Sequence, residues 1–280
     1  MIPAAFDYEV AESVDHAVEL LRADDDAKLL AGGHSLIPAL KLRIARPSKL
    51  VDIGRLGDLS YVRDAGSQLA IGALTRHHDI ATSPIVQEHN PLVSYAAGLI
   101  GDPQVRHRGT IGGSLAHGDP ASDLPAVMLA LGAEMTIRGA DGDRTVAAGD
   151  FFTGVFQTAV GPGEVLTEIR VPKLAASTGW SYLKLNRRAQ DWATVAVAAL
   201  VHRDNGNIAG ASIALTNMGG TPLRAKAVED ALASGSKPTE AAEHTADGTD
   251  PPSDHAASAE FRAHLARVLG RRAIEEALTR

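Results

Sequence analysis

Cysteine is absent from the 280 residues of this chain. Its absence excludes disulfides, thiolate nucleophiles and cysteine-ligated iron–sulfur clusters within the chain itself. Any electron path through an iron–sulfur centre therefore requires a second polypeptide that carries the centre.

Several other signals are missing as well. No run of 18 apolar residues is present, so we expect no membrane-spanning helix. Residues 1–7 show neither a basic segment nor an apolar one, so we expect no secretory signal and a cytoplasmic location. The net charge of −7 argues against nonspecific nucleic-acid binding, which needs clustered Lys and Arg. The 11 histidines are scattered, so we expect no metal site.

What is present suits a globular protein with strands and helices mixed in an α+β order. The hydrophobic content of 45% is sufficient for a core, and the length fits one large domain or two to three small ones. Strand patterns at 28–31 and 50–53 flank a short helical pattern at 36–43, which together form a small βαβ-like unit. Further along, the sequence predicts a helix at 123–131 and hairpins at Asp141-Gly142 and 204–207. Helix-capping residues are predicted at Ser13, Thr75, Ser83 and Asn90.

Two glycine pairs are the most informative motifs. The first lies in Ala31-Gly32-Gly33-His34-Ser35-Leu36, and the second in Thr110-Ile111-Gly112-Gly113-Ser114. Glycine allows a tight turn and close approach to a ligand, and consecutive N–H groups in such a turn converge on an anion. Two such loops, brought together by the fold, would hold both phosphates of a dinucleotide. The alternative is that each pair marks an ordinary turn. The spacing differs from G-x-G-x-x-G, so nicotinamide binding in the Rossmann manner is not indicated.

Four groups of segments carry a resemblance that covers essentially the whole chain. They are 31–38 with 41–43, 102–114 with 116–125, 182–184 with 187–188 and 191–193, and 214–217 with 221–225. In these motifs the chain resembles the FAD-binding medium subunits of the molybdenum hydroxylases. The nearest subgroup is the medium subunit of aerobic carbon monoxide dehydrogenase, within the group that includes the FAD subunit of xanthine dehydrogenases.

The resemblance implies a fold and a set of domains. The fold is an α+β, two-part FAD-binding fold of the vanillyl-alcohol oxidase and p-cresol methylhydroxylase (PCMH) type, followed by a C-terminal antiparallel sheet with helices. The implied boundaries are residues 1–57 and 58–175 for the two FAD-binding subdomains. Residues 176–280 would then form the C-terminal α+β domain of the carbon monoxide dehydrogenase flavoprotein type.

The resemblance also implies the cofactor contacts. Both glycine loops would wrap the FAD pyrophosphate, while other residues would lie near the ribityl chain and the flavin ring. The implied FAD-binding residues are Ala31, Gly32, Gly33, His34, Ser35, Leu36, Thr110, Ile111, Gly112, Gly113, Ser114, His117, Asp123, Lys184 and Trp192. Ser114 replaces an Asn common in the family, and Trp192 replaces a Tyr found in near relatives. No residue of this chain is expected to be catalytic in its own right.

Several of these residues have a simpler interpretation. Asp119 and Asp123 are either a carboxylate pair or helix caps. Lys184 lies in a predicted strand, where a lysine is normally solvated. Trp192 is either beside the flavin or part of the core. The basic pair 187–188 and the histidine pair 77–78 are interpreted as surface residues.

The function implied is that of an oxidoreductase subunit that carries electrons through FAD. Electrons would come from a large subunit with the molybdopterin cofactor, through [2Fe-2S] clusters in a small subunit, to this FAD and then to an external acceptor. We expect a dimer of heterotrimers, that is, a heterohexamer. The alternatives are a stand-alone FAD-dependent oxidoreductase of related fold, or a binding protein that has lost flavin. The substrate is left open among carbon monoxide, N-heterocycles, aldehydes and purines.

Overall fold

The computed structural model describes residues 2–280, and it begins with a small parallel sheet. Its elements are β1 (Asp7–Val10), α1 (Val14–Arg22), β2 (Lys28–Leu30), α2 (Leu36–Lys41) and β3 (Lys49–Asp52). The three strands are parallel in the order β1-β3-β2. Ser13 caps α1 as predicted, since its side chain accepts the N–H of His16. The first glycine loop leaves the carboxyl end of β2.

A five-stranded antiparallel sheet with helices follows. Its elements are β4 (Val62–Ala65), β5 (Gln68–Gly72), α3 (His77–Thr82), α4 (Pro84–His89), α5 (Pro91–Gly98), α6 (Pro103–Arg106), α7 (Ile111–His117), α8 (Asp123–Leu131), β6 (Glu134–Gly139), β7 (Gly142–Ala147), α9 (Ala148–Phe151), β8 (Phe152–Gly154), β9 (Gln157–Thr158) and β10 (Val165–Pro172). The strand order is β4-β5-β10-β6-β7, while β8 and β9 form a separate hairpin. Helix α8 contributes most of its residues, and α5 half of its residues, to the largest apolar core.

The C-terminal part contains a four-stranded antiparallel sheet. Its elements are β11 (Thr178–Leu185), β12 (Val195–Asp204), β13 (Asn207–Thr216), β14 (Leu223–Arg224), α10 (Lys226–Ala233), α11 (Pro238–Ala241) and α12 (Ala259–Thr279), with the strands in the order β11-β12-β13-β14. Strand β12 is buried on both faces. Its alternating residues join the main core on one side and the core under α10 and α12 on the other. The C-terminal sheet is thereby packed against α8.

Most local predictions match these elements, including the helix at 123–131 and both hairpins. Two predictions around residue 75 are wrong. Thr75 does not cap α3, because its hydroxyl is bonded to the backbone of Tyr61. His77 is not a surface residue, since only 3% of it is exposed. Both departures follow from the packing of the segment 73–77 between β5 and the second glycine loop.

Within residues 2–280, no helix combines the length and the apolar character that crossing a bilayer would require.

Candidate functional site

The fold brings the two glycine loops into direct contact. A Cβ atom added at Gly32 would lie 2.2 Å from the carbonyl oxygen of Arg108, just before the second loop. A Cβ atom added at Gly113 would lie 3.9 Å from the Cβ of Ala31. Glycine at position 32 is therefore required by the packing of one loop on the other.

The second loop uses its backbone N–H groups within the protein. Ile111 and Gly112 donate to the carbonyl oxygens of Thr75 and Ala73 at 3.0 and 2.9 Å. Gly113 donates to the Thr110 hydroxyl at 3.2 Å, and Ser114 donates to the Thr110 carbonyl oxygen at 3.0 Å. These bonds start α7 and fix it to the end of β5. The second loop is therefore a braced helix start, and Thr110 keeps a hydroxyl hydrogen to donate.

The first loop has the opposite character. Gly33 has a φ of +77°, which favours glycine, and its carbonyl oxygen accepts the N–H of Ile37. Among residues 2–280, none accepts the N–H groups of Gly32, Gly33, His34 or Ser35. Four consecutive donors are therefore available to a ligand. His34 is exposed, while Ser35 and Leu36 are half-buried at the start of α2.

A cavity of about 310 Å³ opens beside this loop. It is lined by Leu30, Ala31, Gly32, Gly33, Ile37, Asp52, Gly54, Arg55, Leu74, Arg76, Arg108 and Thr110. Three guanidinium groups and one carboxylate give it a net positive charge. Sequence reasoning missed the charged residues of the lining. The available signal was position, because Asp52 ends β3, Arg55 follows that strand and Arg108 precedes the second loop.

Helix α7 leads from this cavity to His117. Its seven residues rise about 10 Å, and Gly113 and Ala116 on it are exposed. The imidazole of His117 lies 5.0 Å from the ring of Phe156, measured between centroids. Partial burial lowers the pKa of His117, which favours the neutral imidazole. Ile111 and Gly112 are buried at the start of α7, so only its exposed residues lead from the second glycine loop to His117.

Asp123 and Lys184 are buried against each other. The Lys184 ammonium lies 2.9 Å from Oδ2 of Asp123, and the Tyr182 hydroxyl donates to Oδ1 at 2.6 Å. Burial raises the pKa of Asp123, while Lys184 and Tyr182 act in the opposite direction. Only 5% of the Lys184 side chain is exposed, so its interpretation as a solvated lysine is wrong. Asp119 is separate from this cluster, and its carboxylate accepts the N–H of Ala121.

Trp192 lies in the connection between β11 and β12. It is 63% exposed, so its interpretation as a core residue is wrong. The basic pair 187–188 in the same connection is exposed as predicted. The connection is held at its base, since Thr194 donates to the carbonyl oxygen of Leu185 and Asn217 donates to that of Ala193. The base of the Trp192 connection is therefore fixed while the indole itself remains open.

Comparison with known families covers most of the chain. Residues 4–174 match the FAD binding domain in molybdopterin dehydrogenase. Residues 180–277 match the CO dehydrogenase flavoprotein C-terminal domain. The chain belongs to the family of FAD-binding medium subunits of the molybdenum hydroxylases. The predicted family is confirmed, and with it an FAD-dependent oxidoreductase subunit of mixed helix and sheet structure that ends in an antiparallel sheet.

Individual family members are similar over their full lengths. The carbon monoxide dehydrogenase medium chain of Hydrogenophaga pseudoflava is 43% identical, with 100% of this chain and 99% of the relative covered. The 6-hydroxypseudooxynicotine dehydrogenase complex subunit alpha of Paenarthrobacter nicotinovorans is 41% identical, with 100% and 97% covered. A chain of the solved carbon monoxide dehydrogenase from Hydrogenophaga pseudoflava superposes with a TM-score of 0.97 at 45% identity, covering 100% of this chain and 99% of that one.

Proposed function

We propose that this chain binds FAD noncovalently and passes electrons from an iron–sulfur partner to an external acceptor. The flavin supplies the redox chemistry, because it accepts electrons singly and gives them up singly or in pairs. The protein binds and orients it. The observation that carries the proposal is the set of four free N–H groups, from Gly32 to Ser35, beside a cationic cavity.

The chemistry of the cavity fits a dinucleotide diphosphate. The free N–H groups of the first loop are donors for phosphate oxygens, and the Thr110 hydroxyl adds another. The lining carries Arg55, Arg76 and Arg108 against the single carboxylate of Asp52. The resulting two positive charges balance the two negative charges of the diphosphate. Leu30, Ile37 and Leu74 supply the apolar walls that an aromatic base requires.

The second loop contacts the same ligand but supplies few hydrogen-bond donors to it. Its N–H groups from Ile111 to Ser114 are already bonded within the protein. Gly112 packs on Ala73, where an added Cβ atom would come within 2.5 Å of the alanine Cβ. Gly113 is exposed and presents bare backbone to the ligand. We therefore assign to this loop a close surface and the Thr110 hydroxyl, with the anion held mainly by the first loop.

The flavin ring belongs at the other end of α7. His117 and Trp192 present open side chains there, and we propose that they contact the ribityl and ring portions of FAD. Asp123 and Lys184 are buried and paired with each other, and the Tyr182 hydroxyl donates a second hydrogen bond to Asp123. Their proposed role is to fix the start of α8 to β11, which sets the spacing between the walls of the ring site.

We propose the three-domain division 1–57, 58–175 and 176–280, with the first two forming an FAD-binding fold of the PCMH type. The three larger sheets support the division, because each lies within one of the three regions. Most buried apolar residues of the first region form a cluster beneath α1, which Leu59, Leu74 and Val165 of the second region join. The C-terminal region has a second core under α10 and α12.

The proposed partners are a large subunit with the molybdopterin cofactor and a small subunit with [2Fe-2S] clusters, assembled as a dimer of heterotrimers in the cytoplasm. The relatives are named as chains of a carbon monoxide dehydrogenase and of a 6-hydroxypseudooxynicotine dehydrogenase complex. The two names point to different substrates, although both chains are similar to this one over its full length. We infer that the large partner selects the substrate.

Replacement of Gly33 tests the assignment of the first loop. Gly33→Val introduces a side chain at a φ of +77°, 3.0 Å from Ile37 Cγ1. We expect FAD affinity to fall at least about tenfold, measured by flavin fluorescence titration. Gly66→Val is the matched control, because Gly66 has a φ of +79° and open space around it in the β4–β5 turn. Equal FAD affinity in the two variants would contradict the assignment.

A further inference from the structure

The cavity has one carboxylate, that of Asp52, and its position in the chain suits recognition of a further part of the same ligand. Strand β2, the first glycine loop, α2 and β3 form a β-loop-α-β unit, and β2 pairs with β3 in parallel. Asp52 is the last residue of β3 and lines the cavity. In parallel α/β units, ligands bind outside the carboxyl ends of the strands. Asp52 therefore occupies an edge suited to ligand recognition.

The carboxylate of Asp52 is fixed in orientation. The Tyr8 hydroxyl donates to Oδ2 at 2.5 Å, and the N–H of Gly54 donates to Oδ1 at 2.7 Å. The bond to Asp52 raises the pKa of Tyr8 and keeps its hydroxyl protonated. A carboxylate has about four lone-pair sites, so each oxygen keeps one site for a further donor. Two fixed acceptors side by side match two neighbouring hydroxyl groups.

We propose that Asp52 binds the 2′- and 3′-hydroxyls of a nucleotide ribose, with the diphosphate of the same nucleotide on the first glycine loop. The inference rests on the proposed function, under which the nucleotide is the adenosine half of FAD. Dinucleotide-binding folds place an acidic residue about 20 residues after the glycine loop for the same purpose. Asp52 stands at that distance from Gly33, although the G-x-G-x-x-G spacing is absent.

The proposal gives the cavity a specificity. A ribose with two free hydroxyls donates to Asp52, whereas a ribose that carries a phosphate on either position brings a second anion to the carboxylate. FMN has no ribose and leaves both acceptors unused. The cavity therefore selects a dinucleotide with an unmodified ribose over FMN and over a phosphorylated ribose.

The test compares two ligands on the flavin-free full-length chain by isothermal titration calorimetry. The ligands are FAD and an FAD analogue whose adenosine carries 2′,3′-dideoxyribose. Wild type is expected to prefer FAD by about ten- to a hundredfold, as for hydrogen bonds to a charged acceptor. In Asp52→Asn this preference should fall to about threefold or less, because a neutral amide accepts more weakly. Asp58→Asn, an exposed carboxylate outside the cavity lining, should keep the wild-type preference.

The ratio between the two ligands separates recognition from structural damage, since damage weakens both alike. Tyr8→Phe is a second variant, which keeps the Asp52 carboxylate but removes the hydroxyl that orients it. It should reduce the preference for FAD over the dideoxy analogue only in part. An unchanged preference in Asp52→Asn would overturn the proposal while leaving FAD binding intact. Failure of wild type to bind FAD would instead overturn the proposed function.

A last titration asks whether the ribose bound by Asp52 belongs to FAD or to a second nucleotide. The FAD-saturated chain is titrated with ADP and with NAD. No binding is expected, because the adenosine of FAD already fills the cavity. Binding of either nucleotide to the saturated chain would place the ribose of a second nucleotide on Asp52 and overturn its assignment to FAD.

Discussion

At the scale of single residues, the buried imidazole of His77 links stability to pH. Burial lowers its pKa to about 4, with smaller contributions from Arg106 and His34. Its Nδ1 atom lacks a hydrogen-bond partner within residues 2–280. The backbone N–H of His77 donates to the carbonyl oxygen of Gly109, just before the second glycine loop. Protonation of this ring would therefore strain the segment on which the second loop rests.

The sign of the pH effect follows from the lowered pKa. The unfolded chain takes up a proton near pH 6.5 and the folded chain only near 4, so the contribution is complete above 6.5 and is lost as pH falls towards 4. We expect the loss to total about 3 kcal/mol in the free energy of unfolding. We would measure the free energy of unfolding in urea at pH 7 and at pH 4.5. The difference between the two values should shrink in His77→Leu and stay as in the wild type in His255→Leu, which changes an exposed position. If His77→Leu loses as much free energy of unfolding on acidification as the wild type, groups other than His77 cause the loss.

Trp192 gives a residue-scale prediction of the opposite kind. Because its side chain is 63% exposed, Trp192→Ala should change the free energy of unfolding by less than about 0.5 kcal/mol. The same change should alter flavin fluorescence and the flavin reduction potential, since it removes the indole that we propose lies beside the ring. Phe261→Ala, an exposed aromatic on α12, should change neither flavin property. A flavin with unaltered emission and potential in Trp192→Ala would remove this residue from the ring site.

At the scale of secondary-structure elements, the Asp123–Lys184 pair joins α8 to β11. Lys184→Met leaves a buried carboxylate without its cation and should lower the free energy of unfolding by about 3–5 kcal/mol. Lys173→Met is the control, because the Lys173–Asp64 pair lies at the surface and its loss should lower the free energy of unfolding far less. Both are measured by urea unfolding of the flavin-free chain. Adding Asp123→Asn to Lys184→Met should recover part of the loss, and equal losses in the two single variants would contradict this role.

Elements with local signals were predictable from the sequence. Ser13 caps α1 and α8 spans 123–131, because a capping side chain and an apolar run act within a few residues. Contacts between distant segments were not. The carbonyl oxygens of Ala73 and Thr75 take the N–H groups of the second loop, which no pattern within the loop reveals. The same limit hid the cavity, because Asp52 and Arg108 meet only through the packing of β3 against the two loops.

At the scale of the whole molecule, the buried faces of β12 connect two of the apolar cores, the main core and the core under α10 and α12. One face packs with α8, which also carries Asp123, and the other packs with α10 and α12. The ring end of the proposed flavin site thus lies where the second and third regions meet. A shift of the C-terminal sheet would therefore move α8 and β11, and with them the residues beside the proposed ring site.

The composition of the chain sets its role within an assembly. With no cysteine, the chain has no cluster of its own that could feed electrons to a flavin. We therefore predict that the isolated chain, loaded with FAD, passes electrons from an artificial donor to a dye but hydroxylates no substrate. The native preparation should contain three kinds of polypeptide together with molybdenum and iron, as measured by gel electrophoresis and metal analysis. Carbon monoxide, aldehydes and N-heterocycles would then be assayed on that preparation. A monomer that oxidises any of them at a useful rate, free of both metals, would show instead that this chain is a self-contained flavoenzyme.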